Sequence, residues 1–153
     1  MTEHCYWRFS RALHRALNDQ YFADIEGLLD DNVEWALYGP IDMFPFLGTR
    51  QGKHAVLEVI RNMAGIIQVR RFDREMTILG LNSAASILRC SLVARDSKKP
   101  IVLRLAQFAQ FEAARLINMR ALIDTFELVE QALGRSIHLP NTSGCVTEAL
   151  DRN

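Results

Sequence analysis

An α+β fold is what the order of hydrophobic periods along this chain predicts. Helical stripes fall in the first 64 residues, four stretches of alternating apolar residues follow from Ile67 to Ile123, and turn-forming residues separate those stretches. Helices and strands segregated in this way make a meander of antiparallel neighbours covered on one side. At 153 residues the chain suits one domain with a real core.

From Tyr6 to Leu17, apolar Tyr6, Phe9, Leu13, Ala16 and Leu17 recur at three and four residues, the stripe of a helix packed on one side. Asn18-Asp19 breaks it, and Asp19 is expected to cap a second short helix burying Phe22, Ile25, Leu28 and Leu29. Asp30-Asp31-Asn32 then turns the chain into a strand from Val33 to Tyr38, with Val33, Trp35 and Leu37 on one face. Standing apart from the other strands, it pairs most simply along an edge of the sheet. After Gly39-Pro40 comes a loop whose Met43, Phe44 and Phe46 are too apolar to cross solvent uncovered. Lys53 to Ala64 carries a third helical stripe, which Gly65 is placed to end.

The strands of the second half run over Ile67–Leu81, Ala85–Ala94, Pro100–Glu112 and Leu116–Ile123. A last helix, Thr125 to Leu133, stops at Gly134. Residues 1–134 form the expected domain, and 135–153, weakly periodic, an appended tail.

Charge excludes some functions. Lys+Arg and Asp+Glu number 18 each, so no net field draws phosphate backbones or an anionic membrane surface, and nucleic acid is not an expected partner. Arg70, Arg71 and Arg74 alternate with Asp73 and Glu75, as on a solvated strand. The N-terminus has no apolar core of a signal peptide, and the longest uncharged run, Met76 to Leu88, is too short to span a bilayer. No membrane partner and a cytoplasmic location are the expectations. Cys5, Cys90 and Cys145 are widely spaced and odd in number, which suggests neither a disulfide framework nor a zinc site. They are read as reduced, with Cys90 a small core residue. HExxH, GxSxG and paired histidines do not occur, and Gly48-Thr-Arg-Gln-Gly52-Lys53-His54 lacks the spacing and the Ser/Thr of a phosphate loop. No metal and no cofactor is expected.

Three features taken in order resemble one family. They are Asp31-Asn-Val-Glu-Trp35, the spacing Gly39…Phe46-Leu-Gly48-Thr-Arg-Gln-Gly52 before a helix, and the closing Ile117…Arg120…Asp124-Thr125. Over residues 6 to 134 the chain resembles the SnoaL-like branch of the nuclear-transport-factor-2-like (NTF2-like) superfamily, which includes polyketide cyclases, ketosteroid isomerases and limonene epoxide hydrolases. The resemblance implies a conical half-barrel, a curved mixed or antiparallel sheet wrapped around N-terminal helices, with an apolar internal pocket and a homodimer packed through the sheet.

Laid on the isomerase pattern, the carboxylate base falls at or next to Ala36, the oxyanion-hole tyrosine at Leu13 and the hole's aspartic acid near Gln107. Ala36 and Leu13 carry no proton, so that mechanism in its known form is not implied. The cyclase aspartate finds its nearest match in Asp124, while Arg104, Arg120 and Asp124 supply parts of an epoxide-hydrolase set. Asp124-Thr-Phe-Glu127 also reads as a capping box, so two roles stay open for Asp124. Asp42 is the acid nearest the expected pocket mouth. Candidate catalytic residues are therefore Asp124 and Asp42. Candidate pocket residues are Trp35, Tyr38, Phe44, Phe46 and Gln107, with Met119 and Ile123 from the apolar face of the last strand. Two functions follow: a cofactor-independent isomerase or cyclase acting on a small apolar cyclic molecule, or a non-catalytic ligand-binding or dimeric scaffold module of the same fold.

Overall fold

The computed structural model describes residues 2–137, so most of the expected tail, including Cys145, lies outside the described residues. Helix α1 spans Thr2–Asp19, α2 Ala23–Leu28, α3 Lys53–Ile66 and α4 Thr125–Leu133. The strands are β1 Leu29–Tyr38, β2 Gly48–Gln51, β3 Ile67–Leu79, β4 Ser83–Ala94, β5 Pro100–Glu112 and β6 Arg115–Ile123. They form one open mixed sheet in the order β2-β1-β6-β5-β4-β3, and the α+β architecture is as expected.

Strand alternation decides what each face presents. Inward rows cross the sheet as Trp35–Met119–Ala109–Ala84 and Leu37–Ala121–Gln107–Ser86–Thr77. Against this face α1 buries Tyr6, Phe9, Ala12, Ala16 and Leu17, and α3 buries Val56, Leu57, Val59, Ile60 and Ala64. Register shifts in β3, between Val69 and Arg71 and between Arg74 and Met76, insert residues that bend and twist the strand. At the first, the Asn18 side-chain amide donates to the Val69 carbonyl (2.8 Å) and accepts from its N–H (2.7 Å), standing in for a strand partner.

Several local expectations are corrected. Strand β1 pairs along the β6 edge of the meander, as expected, but it runs parallel to β6 and is itself covered by the short antiparallel β2, whose four residues are too few to leave a period in the sequence. β1 also begins at Leu29, because pairing with Leu116 extends it through the polar Asp30-Asp31-Asn32. Asp19 ends α1 and does not cap α2, whose N-cap, Phe22, offers no side-chain acceptor. Gly65 lies within α3, which ends where Ile67 turns extended and donates its N–H to the Met63 carbonyl. Tertiary pairing overrides these local signals.

Gly39 starts the loop between β1 and β2, and a Cβ there would stand 2.6 Å from Leu47 Cδ1. This close approach tucks the fully buried Leu47 under the loop while Phe44 and Phe46 turn toward the concave face. At its other end the chain closes on α4, which Gly134 terminates in the left-handed conformation (φ 68°), as its sequence position predicts.

Candidate functional site

Between the sheet's concave face and the helices lies a cavity of about 180 Å³. Phe9 and Leu13 of α1 and Met63 of α3 form one wall, with Leu128 of α4 closing a corner. The sheet contributes Trp35, Leu37, Leu103, Leu105, Met119 and Ala121. Loop residues Phe44 and Phe46, with ring centroids 5.9 Å apart, complete the lining. The cavity exists because small residues, Ala121 and Ala94, sit where larger ones would have filled the space between curved sheet and helix.

Few polar groups enter this lining. Gln107 is buried, at 9% exposure, and its cross-strand neighbour Ser86 accepts from the Tyr6 hydroxyl at 2.5 Å. Trp35 is 2% exposed, and its indole Nε1 has no hydrogen-bond partner among the described residues. Leaving such a donor unpaired costs about 1–3 kcal/mol, so it calls for an explanation. Cys90 also lines the cavity. Burial, reinforced by the Asp73 carboxylate, pushes its thiol up to about 12, and it stays protonated and neutral. The wall reaches solvent at Ile66 and Arg74. Arg74 lies 4.0 Å above the Trp7 ring and donates to Ser10 Oγ at 2.9 Å.

Six of the residues singled out from sequence therefore share this wall: Trp35, Phe44, Phe46, Gln107, Met119 and Ile123. Tyr38 does not. Strand alternation turns it outward, 43% exposed, into a shallow groove with Glu34, Arg50 and Arg120, since its neighbour Leu37 takes the inward place. Asp124 is exposed and lies off the cavity wall, where its Oδ1 accepts the Glu127 N–H at 3.5 Å as the N-cap of α4. The capping box is half formed, because the Asp124 N–H is taken by the Arg104 carbonyl (2.9 Å). Asp42 is exposed on the loop and also absent from the lining. Among the described residues no carboxylate lines the cavity.

The remaining polar candidates face elsewhere. Arg104 pairs with Glu75 at 2.9 Å on the outer face, where Arg120 also sits, so they do not converge on the cavity with Asp124. Sequence reasoning took Cys90 as core alone and Arg74 as solvated. Alternation along β4 places Cys90 on the inner face, but the empty space beside it has no signature in the chain.

No protein-family model matches the chain, and no curated protein does. Solved structures do. The "Putative Isomerase from Rhodopseudomonas palustris" is 58% identical, covering 88% of this chain and all of that one, with a TM-score of 0.86. An NTF2-like protein from Burkholderia xenovorans shares 13% identity over 85% of this chain and 94% of its own, at TM-score 0.71. An LEH-like epoxide hydrolase from M. tuberculosis shares 13% identity over 86% of this chain and 91% of its own, at 0.64. The last two are alike in fold alone.

Proposed function

The chain belongs to the NTF2-like superfamily, and from that premise we propose that it binds one small, mostly apolar cyclic molecule between its sheet and its helices. The observation that carries this reading is a cavity of about 180 Å³ lined by aliphatic and aromatic side chains with no carboxylate among the described residues. A cavity of about 150 Å³ with such a lining accommodates benzene, so this one suits a single substituted ring. Within the superfamily we place the chain near the SnoaL-like branch, on Asp31-Asn-Val-Glu-Trp35 and the closing Asp124-Thr125.

Release of a co-purified compound on denaturation, read by mass spectrometry, is the first test, followed by thermal shift against monocyclic hydrocarbons and ketones. A ligand at one hundred times its Kd adds about 2.7 kcal/mol, or roughly 5–10 °C in a chain of this size. Ala121→Leu, which fills part of the cavity, should abolish the shift. No shift with any monocyclic probe at millimolar concentration overturns the reading.

A second reading, a cofactor-independent isomerase, is favoured by the name "Putative Isomerase" of the 58% identical Rhodopseudomonas palustris protein. It assigns proton transfer to Asp124 and Asp42. Both stand outside the cavity wall, and for that reason binding without turnover is preferred. Turnover of a cyclic ketone that disappears in Asp124→Asn, with binding retained, would reverse the preference.

We further propose that the outer face of the sheet pairs two copies of the chain. Two adjacent outward rows support this: Met76–Ile87–Ala106–Leu122–Tyr38 and Ile78–Ala85–Phe108–Arg120–Ala36, in which Phe108 is 49% and Leu122 51% exposed. Phe108→Glu should convert a dimer to a monomer in sedimentation equilibrium. A wild-type monomer at 100 μM, about a hundred times a typical micromolar Kd, removes the proposal. No helix among the described residues is long and apolar enough to cross a membrane.

A further inference from the structure

One buried polar group in the cavity wall, the Trp35 indole N–H, has no hydrogen-bond partner among the described residues, and with the Gln107 amide in the same lining it specifies more about the ligand than its size. Trp35 Nε1–H can only donate, and it meets no acceptor among the described residues. Gln107, 9% exposed, lines the same cavity, and its amide can donate or accept. They stand on β1 and β5, separated by β6, so their Cα atoms are about 10–12 Å apart, and both line the cavity with Met119 and Ala121 of the strand between them. Nothing else polar reaches that part of the wall: Arg74, the cation of the lining, is on β3, four strands from β1, engaged with Trp7 and Ser10.

Resting on the reading of this cavity as a binding site, we infer that its ligand is a neutral monocyclic carbonyl compound, a cyclic ketone, enone or lactone, whose oxygen accepts from Trp35 Nε1–H beside the Gln107 amide. A hydrocarbon would leave the indole donor unpaired. A carboxylate would bury a full charge against one neutral N–H, with no cation on the facing strands, which is strongly unfavourable in an apolar wall. A neutral carbonyl oxygen satisfies the donor without a charge, and the Gln107 amide can supply a second hydrogen bond to it. Multi-ring substrates of steroid size exceed a space that suits one substituted ring.

The test compares three probes of similar shape on the full chain: 3-methylcyclohex-2-enone, 1-methylcyclohexene and cyclohex-1-ene carboxylate. Dissociation constants come from calorimetry. The indole N–H resonances of ¹⁵N-labelled protein report the contact, since the chain holds two tryptophans, and Trp35→Phe assigns the second signal. The enone should bind about tenfold more tightly than the hydrocarbon, the worth of one well-made hydrogen bond, and should move the Trp35 N–H signal downfield where the hydrocarbon does not. In Trp35→Phe the preference for enone over hydrocarbon should shrink to about one. Gln107→Leu should reduce the preference by a smaller factor. Equal affinity for enone and hydrocarbon, tightest binding of the carboxylate, or an unmoved Trp35 signal with bound enone each overturn the inference while leaving the cavity a binding site. If none of the three binds, the binding-site reading falls and takes the inference with it. Should Trp35→Phe fold poorly, Trp7→Phe leaves the Trp35 N–H as the one indole signal and keeps the resonance test intact.

Discussion

Replacing Arg95 by methionine keeps the aliphatic stem and removes the guanidinium, and the structure gives the size of the loss. Nε donates to the carbonyls of Ala64 (2.6 Å) and Ile67 (3.2 Å), and Nη2 to those of Leu17 (2.7 Å) and Asn18 (3.0 Å). The Arg95 backbone N–H also meets the Ile66 carbonyl at 2.8 Å. Leu17, Asn18, Ala64 and Ile66 belong to the last turns of α1 and α3, whose carbonyls have no intrahelical partner, and neither last turn carries a basic residue of its own. One side chain thus caps two helices and places a positive charge at the negative end of each. Hydrogen bonds to a charged donor contribute about 1.5–3 kcal/mol each, but Arg95 is half-buried and water can reach part of the site. Counting one such bond per helix end gives a loss of about 3 kcal/mol in Arg95→Met. With 2–4 °C per kcal/mol for a domain of this length, Tm should fall by about 6–12 °C. Urea unfolding followed by circular dichroism measures the free energy, and scanning calorimetry the midpoint. Arg95→Lys should recover less than half, because an ammonium cannot fork between two helix ends. A methionine variant within about 0.5 kcal/mol of wild type would mean that water replaces the guanidinium at no loss, and the capping argument would fail.

Other consequences are smaller but as open to measurement. The turn between β5 and β6 holds Ala113 and Ala114 at φ 47° and 63°, where a side chain is strained, so Ala114→Gly should raise stability by about 0.5–1 kcal/mol in urea unfolding. Cys90 titrates well above its ordinary value when folded, so the unfolded chain loses this proton first as pH rises. Its contribution is complete below about pH 9 and declines up to about pH 12, at about 1.4 kcal/mol per pH unit at most; Cys90→Ala should show a flatter decline than wild type between pH 9 and 10.5. Asp124→Ala should lower stability by about 0.5–1 kcal/mol through the lost cap and leave probe affinity in the cavity unchanged. A tenfold loss of affinity instead would put Asp124 in the binding site.

How far the site could be read from residues alone is clearest at β1. Alternation puts Val33, Trp35 and Leu37 on one face, and the structure turns that face inward; the same alternation sends Tyr38 out, so its placement in the pocket failed against a rule already present in the chain. Met119 and Ile123 follow from the parity of β6, and Phe44 and Phe46 from an apolar excess no exposed loop would carry. Cys90 and Leu103 looked like ordinary core, because a core side chain and a cavity side chain have the same hydrophobicity.

What the sequence determined by itself is therefore the order and kind of most elements and the side chains each turns inward, since period and turn chemistry are local properties of the backbone. Tertiary packing alone sets β1 inside the sheet, parallel to β6, brings Arg95 onto the ends of α1 and α3 from 77 and 31 residues away in the chain, and leaves the inward face incompletely filled. The separation of Arg95 from Asn18 and Ala64 in the chain leaves no local pattern to read. The cavity, and the Trp35 N–H left without an acceptor, are properties of space between elements, fixed by how curved strands and helices meet.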